Sequence, residues 1–167
     1  MPRTSPTRRW TLLIAGLLIV WVALIFGTSC TVVRPQEFFA WFHRHVFTDE
    51  SAYANFQVFW GFSWFAIVKG WHVVEFAILT LLANAALSRL AGRRSTGIIL
   101  TSMLLCLLFA ISDEWHQTFV PDRYGTVTDV HIDGLGILLA GGWLLRRLRR
   151  GKGVGEGEKN GGRVARP

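Results

Sequence analysis

Two stretches of this chain, residues 10–26 and 98–111, hold no polar side chain larger than Thr or Ser, so a helix through either has no wet face. A helix that is apolar all round belongs in lipid or at the centre of a large core. With 167 residues the chain is too short to build such a core. Composition agrees: 51% of the residues are hydrophobic and 17% charged, and the apolar ones come in blocks. Soluble helices alternate their faces every few positions. The reading is an all-α membrane protein.

Crossing the hydrocarbon takes roughly 17–25 mostly apolar residues. Residues 10–27 meet this outright. Residues 70–87 meet it while carrying His72, Glu75 and Asn84, and residues 98–117 hold Asp113, Glu114 and His116 in their last turns. Residues 129–145 form a shorter fourth candidate with Asp129, His131 and Asp133. Basic residues in short loops mark the cytoplasmic side. Arg3, Arg8 and Arg9 precede the first span, Arg89, Arg93 and Arg94 lie between the second and third, and Arg146, Arg147, Arg149, Arg150 and Lys152 follow the fourth. The opposite side receives only Arg34, Arg44, Lys69 and Arg123. The expected architecture is a four-helix transmembrane bundle with both termini cytoplasmic. The net charge of +7 then serves topology, and no nucleic acid is expected as a partner.

Residues 38–68 are dense in aromatics: Phe38, Phe39, Trp41, Phe42, Phe56, Phe59, Trp60, Phe62, Trp64 and Phe65. Only Lys69 and Gly70 separate them from the second span, too few for a hairpin, so the segment is expected to lie at the outer interface between helices 1 and 2. His43, His45 and Glu50 fall there and are read as solvated. Residues 151–167 are Gly-rich without apolar pattern and are expected to be a disordered tail. Cys30 and Cys106 make no disulfide framework. Phe26-Gly27-Thr28-Ser29-Cys30 has the outline of a lipoprotein cleavage site, but Gly27 replaces the favoured Leu, so a retained helix is expected. Thr7-Arg8-Arg9 is read as cytoplasmic charge in preference to a twin-arginine signal. No glycine-rich phosphate loop is present, so ATP-driven action is not expected.

Ionisable residues within spans are costly, and here they share one depth. Lys69, His72 and Glu75 recur every third position at the outer start of the second helix, one row of a helix surface. Asp113, His116 and Gln117 form an i, i+3, i+4 patch at the outer end of the third, with Glu114 and Trp115 turned elsewhere. Asp129, Asp133, Gly136 and Ala140 make a polar-then-small stripe on the fourth, suited to close packing against the other helices. His131 falls off that stripe. Pro121, Asp122, Arg123, Tyr124 and Gly125 form the return loop and place Arg123 over the carboxylates. The candidate site is therefore Lys69, His72, Glu75, Asp113, Glu114, His116, Gln117, Arg123, Asp129 and Asp133. His72, Asp113, His116 and Asp129 have the donor atoms for a divalent metal, or for a metal-free His–carboxylate acid/base pair. Ser112 is the nearest hydroxyl, with nothing to activate it.

Ser112-Asp113-Glu114-Trp115-His116-Gln117-Thr118-Phe119-Val120-Pro121-Asp122-Arg123, then Thr128-Asp129-Val130, with Lys69-Gly70-Trp71-His72 upstream, resembles the VanZ-like family. The resemblance covers about residues 38–145. It leaves residues 1–9 as a cytoplasmic segment, 10–37 as the first helix and its connection, and 146–167 as a basic cytoplasmic tail. Asp122 stands where the family commonly has Gly, and Asp133 where Asn is frequent. The resemblance implies a multi-pass protein of the bacterial cytoplasmic membrane with its motif near the extracytoplasmic face. It also implies a link to the cell envelope and, through the family's namesake, to resistance against the glycopeptide teicoplanin. Membrane lipids and a glycopeptide or lipid-linked cell-wall molecule are the partners it suggests. Three functions compete: a pocket binding an anionic or amphipathic ligand, an intramembrane enzyme acting on a lipid head group, and a helper subunit whose polar network only holds helices together.

The basic-residue distribution makes a topology prediction. Cysteines introduced at Asn160 and Arg93 should react only with reagent on the cytoplasmic side, and one at Asp122 only from outside. Labelling of position 122 from the cytoplasm alone would overturn the arrangement of the site.

Overall fold

The computed structural model describes residues 6–30, 35–46, 49–121, 123 and 125–161. Arg3, Arg34, Asp122 and Tyr124 lie outside the described residues, as do 162–167 and the side chains of Phe38, Phe65 and Lys152. All regular structure among the described residues is helical: α1 (Pro6–Ser29), α2 (Pro35–Val46), α3 (Glu50–Leu90), α4 (Thr96–Gln117) and α5 (Val127–Gly161). Three helices are long and apolar enough to cross a membrane: Arg8–Ser29 within α1, Glu50–Leu90 and Thr96–Gln117. In α5 the apolar stretch is short, bounded by Asp133 on one side and Arg146 on the other.

The polarity of the packing is inverted relative to a soluble bundle. Leu100, Leu104, Leu108 and Ile111 lie along one exposed face of α4, and Leu12, Ile19 and Val20 are exposed on α1. Thr80, Asn84, Ser102, Asp113 and Asp133 are buried. Polar groups turned inward beneath an apolar exterior are what a lipid solvent selects. The apolar core is small: Phe76 and Leu79 of α3, Cys106 and Ala110 of α4, Ile137 of α5 and Ile25 of α1.

α3 departs from the expected break before the second span. It is one helix of 41 residues, roughly 60 Å long and about twice the thickness of a hydrocarbon layer. No proline interrupts it, and Gly61 and Gly70 sit in open space, where Gly costs about 1 kcal/mol against Ala but leaves the hydrogen-bond ladder whole. Its start is capped by Asp49, whose carboxylate accepts from Ser51 Oγ at 2.7 Å and Ser51 N at 3.2 Å; these bonds hold the carboxyl below its ordinary range. The aromatic segment is thus split between α2 and the first half of α3. α2 folds back on α3 through Phe42 stacked on Phe56 (5.0 Å) and His43 on Tyr53 (4.0 Å), while His43 Nε2 lies 3.3 Å from Glu50. From Lys69 to Leu90 the helix rises roughly 32 Å, enough to cross, and this half enters the bundle.

α3 and α5 run parallel in the bundle, with α1 and α4 antiparallel to them. Gly136 sets the closest approach: a Cβ there would collide with the Val73 carbonyl oxygen and crowd Ala77 N. Gly141 takes Met103 of α4 in the same way. Asp133, Gly136 and Ala140 are buried, so the expected stripe faces inward. Residues 151–161, expected as tail, continue α5 as helix, with no proline to interrupt it.

Substituting Gly136→Leu should therefore force α3 and α5 apart, at a cost of about 1–3 kcal/mol or more. Gly142→Leu, where a Cβ meets nothing, is the control. Thermal midpoints of the two purified variants check this; equal midpoints would refute the close approach.

Candidate functional site

The ionisable residues assemble where the C-termini of α1 and α4 meet the start of α5 and the middle of α3. Between α3 and α5 the pairing follows their parallel register. Lys69 Nζ pairs with Asp129 Oδ1, and one turn on His72 Nδ1 lies 3.2 Å from Asp133 Oδ1. At the next residue of α3, the Val73 carbonyl comes up against Gly136. His72 thus answers Asp133, and neither Asp113 nor Asp129. A three-residue step on α3 matches a four-residue step on α5 only with 69 opposite 129 and 72 opposite 133.

A second cluster joins α1, α4 and the return loop. Ser29 Oγ at the end of α1 donates to Asp113 Oδ2 at 2.7 Å. Gln117 Nε2 donates to the same oxygen at 3.0 Å and to Glu114 Oε1 at 3.2 Å. The other oxygen of Glu114 accepts from Thr126 N at 2.8 Å, just before α5 begins. Arg123 donates to Gln117 Oε1 at 2.8 Å and to the Thr28 carbonyl at 3.3 Å. Its charge reaches Asp113 and Glu114 only through Gln117, not by the direct placement over carboxylates that was expected. Gly125 is required here, since a Cβ would strike the Glu114 carbonyl oxygen.

Glu75 is buried between the two clusters, close enough to His72, Asp133 and Asp113 for their charges to act on it. Glu114 corrects the expectation: it is 4% exposed and part of the network, not turned away, because the Thr126 loop folds over that side of α4. His116 stands apart from the hydrogen-bonded clusters, its ring 4.6 Å from that of Phe26. His131 is exposed, its Nδ1 against the Val127 carbonyl, and stays outside the site. Three residues the motif reading missed are Thr28, Ser29 and Thr126. Thr28-Ser29-Cys30, a polar run ending an otherwise apolar helix at the right depth, was the available signal for two of them.

His72, Asp113, His116 and Asp129 do not come together as one ligand set. Asp129 goes to Lys69, His72 to Asp133, and Asp113 to Ser29 and Gln117. Among the described residues no group of three or more His, Cys, Asp or Glu has the arrangement to hold a metal ion. The arrangement instead leaves buried polar atoms unmatched. Asp113 Oδ1, His116 Nδ1 and Asp133 Oδ2 are all buried without a hydrogen-bond partner. Buried polar atoms in this state are rare, and each is costly.

An inside-out helical bundle with paired charges across parallel helices, converging on one end, defines a membrane protein with a polar site at the level of the helix ends. The chain belongs to the VanZ/LLP1 family, whose match spans residues 13–149 and so takes in α1 as well as the motif helices. No curated protein and no solved structure gives a significant match.

The register predicts specific cross-links. In a Cys30→Ala background, Ser29→Cys with Asp113→Cys, and His72→Cys with Asp133→Cys, should form disulfides within one chain in native membranes. The pair Ser29→Cys with Asp129→Cys serves as a negative control. Cross-linking only between chains would refute the two-cluster geometry.

Proposed function

We propose that α1, the second half of α3, α4 and α5 cross the bacterial cytoplasmic membrane, with the basic ends inside. The polar site would open toward the outer face and bind the head of an amphipathic envelope molecule. One observation carries the reading: three buried polar atoms at one end of the bundle, carboxylate oxygens of Asp113 and Asp133 and Nδ1 of His116, lack partners. A ligand bringing hydroxyl, amine or amide donors would satisfy them. Lys69 is engaged by Asp129 and Arg123 by Gln117 and Thr28, so the donors of the ligand, more than its charge, would decide its fit. Glycopeptides and lipid-linked cell-wall precursors, which the family resemblance suggests, both carry such donors on an amphipathic body. Val58, Phe59 and Phe62 are exposed on the first half of α3 and offer an apolar surface to an acyl chain beside the site.

A second reading is favoured by the His72–Asp133 pair. Asp133 is fully buried against a partly exposed imidazole, the arrangement that orients a histidine as a general base. Mass analysis of lipid-linked precursor incubated with the purified protein separates the two: an altered head group signals an enzyme, an unaltered one a binder.

In the binding reading, Asp113→Asn and His116→Ala should weaken capture of teicoplanin or lipid-linked precursor by protein in nanodiscs by about tenfold, roughly 1.4 kcal/mol. Membrane-inserted protein should stay at the unsubstituted level. Capture unchanged, or inserted protein lost as completely as with Gly136→Leu, would defeat the proposal and leave the cluster as a scaffold.

A further inference from the structure

At the opposite end of the bundle, the end of α3, the start of α4 and the middle of α5 enclose a half-open cleft of about 970 Å³. Gly92 makes it possible. At φ 62° it turns the chain sharply after α3, with Gly92 N–H returned to the Arg89 carbonyl at 3.2 Å. That turn brings Arg93 and Arg94 beside Arg89 of the last turn of α3, facing Arg147 of α5. Arg147 is held over the Trp143 ring at 5.3 Å. No acidic residue occurs before Glu37, between Glu75 and Asp113, or between Asp133 and Glu156. Among the described residues none of these four arginines is in an ion pair.

Deeper in, the cleft is apolar, lined by Leu81, Ile99 and Leu144. On the same lining Asn84 is only 9% exposed, and its side-chain oxygen has no hydrogen-bond partner. Topology alone would ask only that basic residues flank the spans. It does not ask for a cavity, an apolar floor or an orphaned amide within it.

We propose that this cleft binds the phosphate head of an anionic phospholipid. It lies roughly 32 Å along α3 from Lys69, so the arginines stand at head-group level and the apolar floor at acyl-chain level. Arginine forks suit phosphate oxygens, and basic pockets between membrane helices take such head groups. The first turn of α4, capped by Ser95, adds its positive helix end. Phosphatidylglycerol, a phospholipid whose head carries a net negative charge, is the matching probe for the four arginines.

The test uses the full chain purified in mild detergent with equal phosphatidylglycerol and phosphatidylcholine, read by native mass spectrometry. One phosphatidylglycerol per chain should be retained, in about tenfold preference. The triple substitution Arg93→Gln, Arg94→Gln, Arg147→Gln should reduce retention by about tenfold. Ser88→Phe, which fills the cleft without changing charge, should do the same. Arg146→Gln, Arg149→Gln, Arg150→Gln removes equal charge outside the cleft and should retain the lipid. Elution volume and thermal midpoint establish that each variant is folded. Equal loss in the two triple variants, retention by Ser88→Phe, or no preference for phosphatidylglycerol would overturn the proposal. Displacement of the lipid by millimolar inorganic phosphate would overturn it too, since the arginines alone would then be the site.

Discussion

The parallel pairing of α3 with α5, Lys69 to Asp129 and His72 to Asp133, is the interaction on which the remaining geometry depends. An unpaired ionised side chain inside a membrane costs about 2.5–3.5 kcal/mol on insertion scales. Two acids on α5 matched by two bases on α3 relieve that cost only in one register. Gly136 then permits the backbones to approach closely at Val73. α4 packs against those two helices through Gly141 and Met103, and α1 is held by Ser29 to Asp113 and Trp21 Nε1 to the Glu75 carbonyl at 3.0 Å.

The molecule is electrically segregated along its length. Carboxylates and imidazoles occupy one end of the bundle, and arginines occupy the other with no intervening acid. The acidic end is internally bonded yet leaves buried polar atoms unmatched, whereas the basic end has donors around an open cleft. The core of Phe76, Leu79 and Cys106 separates the two ends. The Arg123–Gln117–Asp113 chain shows the same economy of charge: a neutral amide donates to a carboxylate and accepts from a guanidinium, linking two charges that do not touch.

Much was legible in the linear chain. The all-round apolar runs required lipid, the basic flanks marked helix ends, and the spacing of Asp129, Asp133, Gly136 and Ala140 identified the packed face of α5. These are local properties, set by helical periodicity and by the cost of polar groups in hydrocarbon. The depth of Lys69, His72, Asp113 and Asp129 followed from counting residues along each span.

Which acid answers which base was decided only by the tertiary structure, because Asp113, Asp129 and Asp133 lie at similar depths and helix rotation selects among them. The burial of Glu114 depends on a loop from residues 125 and 126 folding over it, a contact absent from any helical wheel. Ser29 enters the site because α1 docks there, and neither its neighbours nor its spacing encodes that docking. The continuity of α3 likewise has no local signature, since Lys69-Gly70 is compatible with a surface break or an unbroken helix. Sequence determined which residues must avoid lipid and at what level; only the packed bundle determined the partners that allow them to do so, since pairing is a property of two helices and periodicity of one.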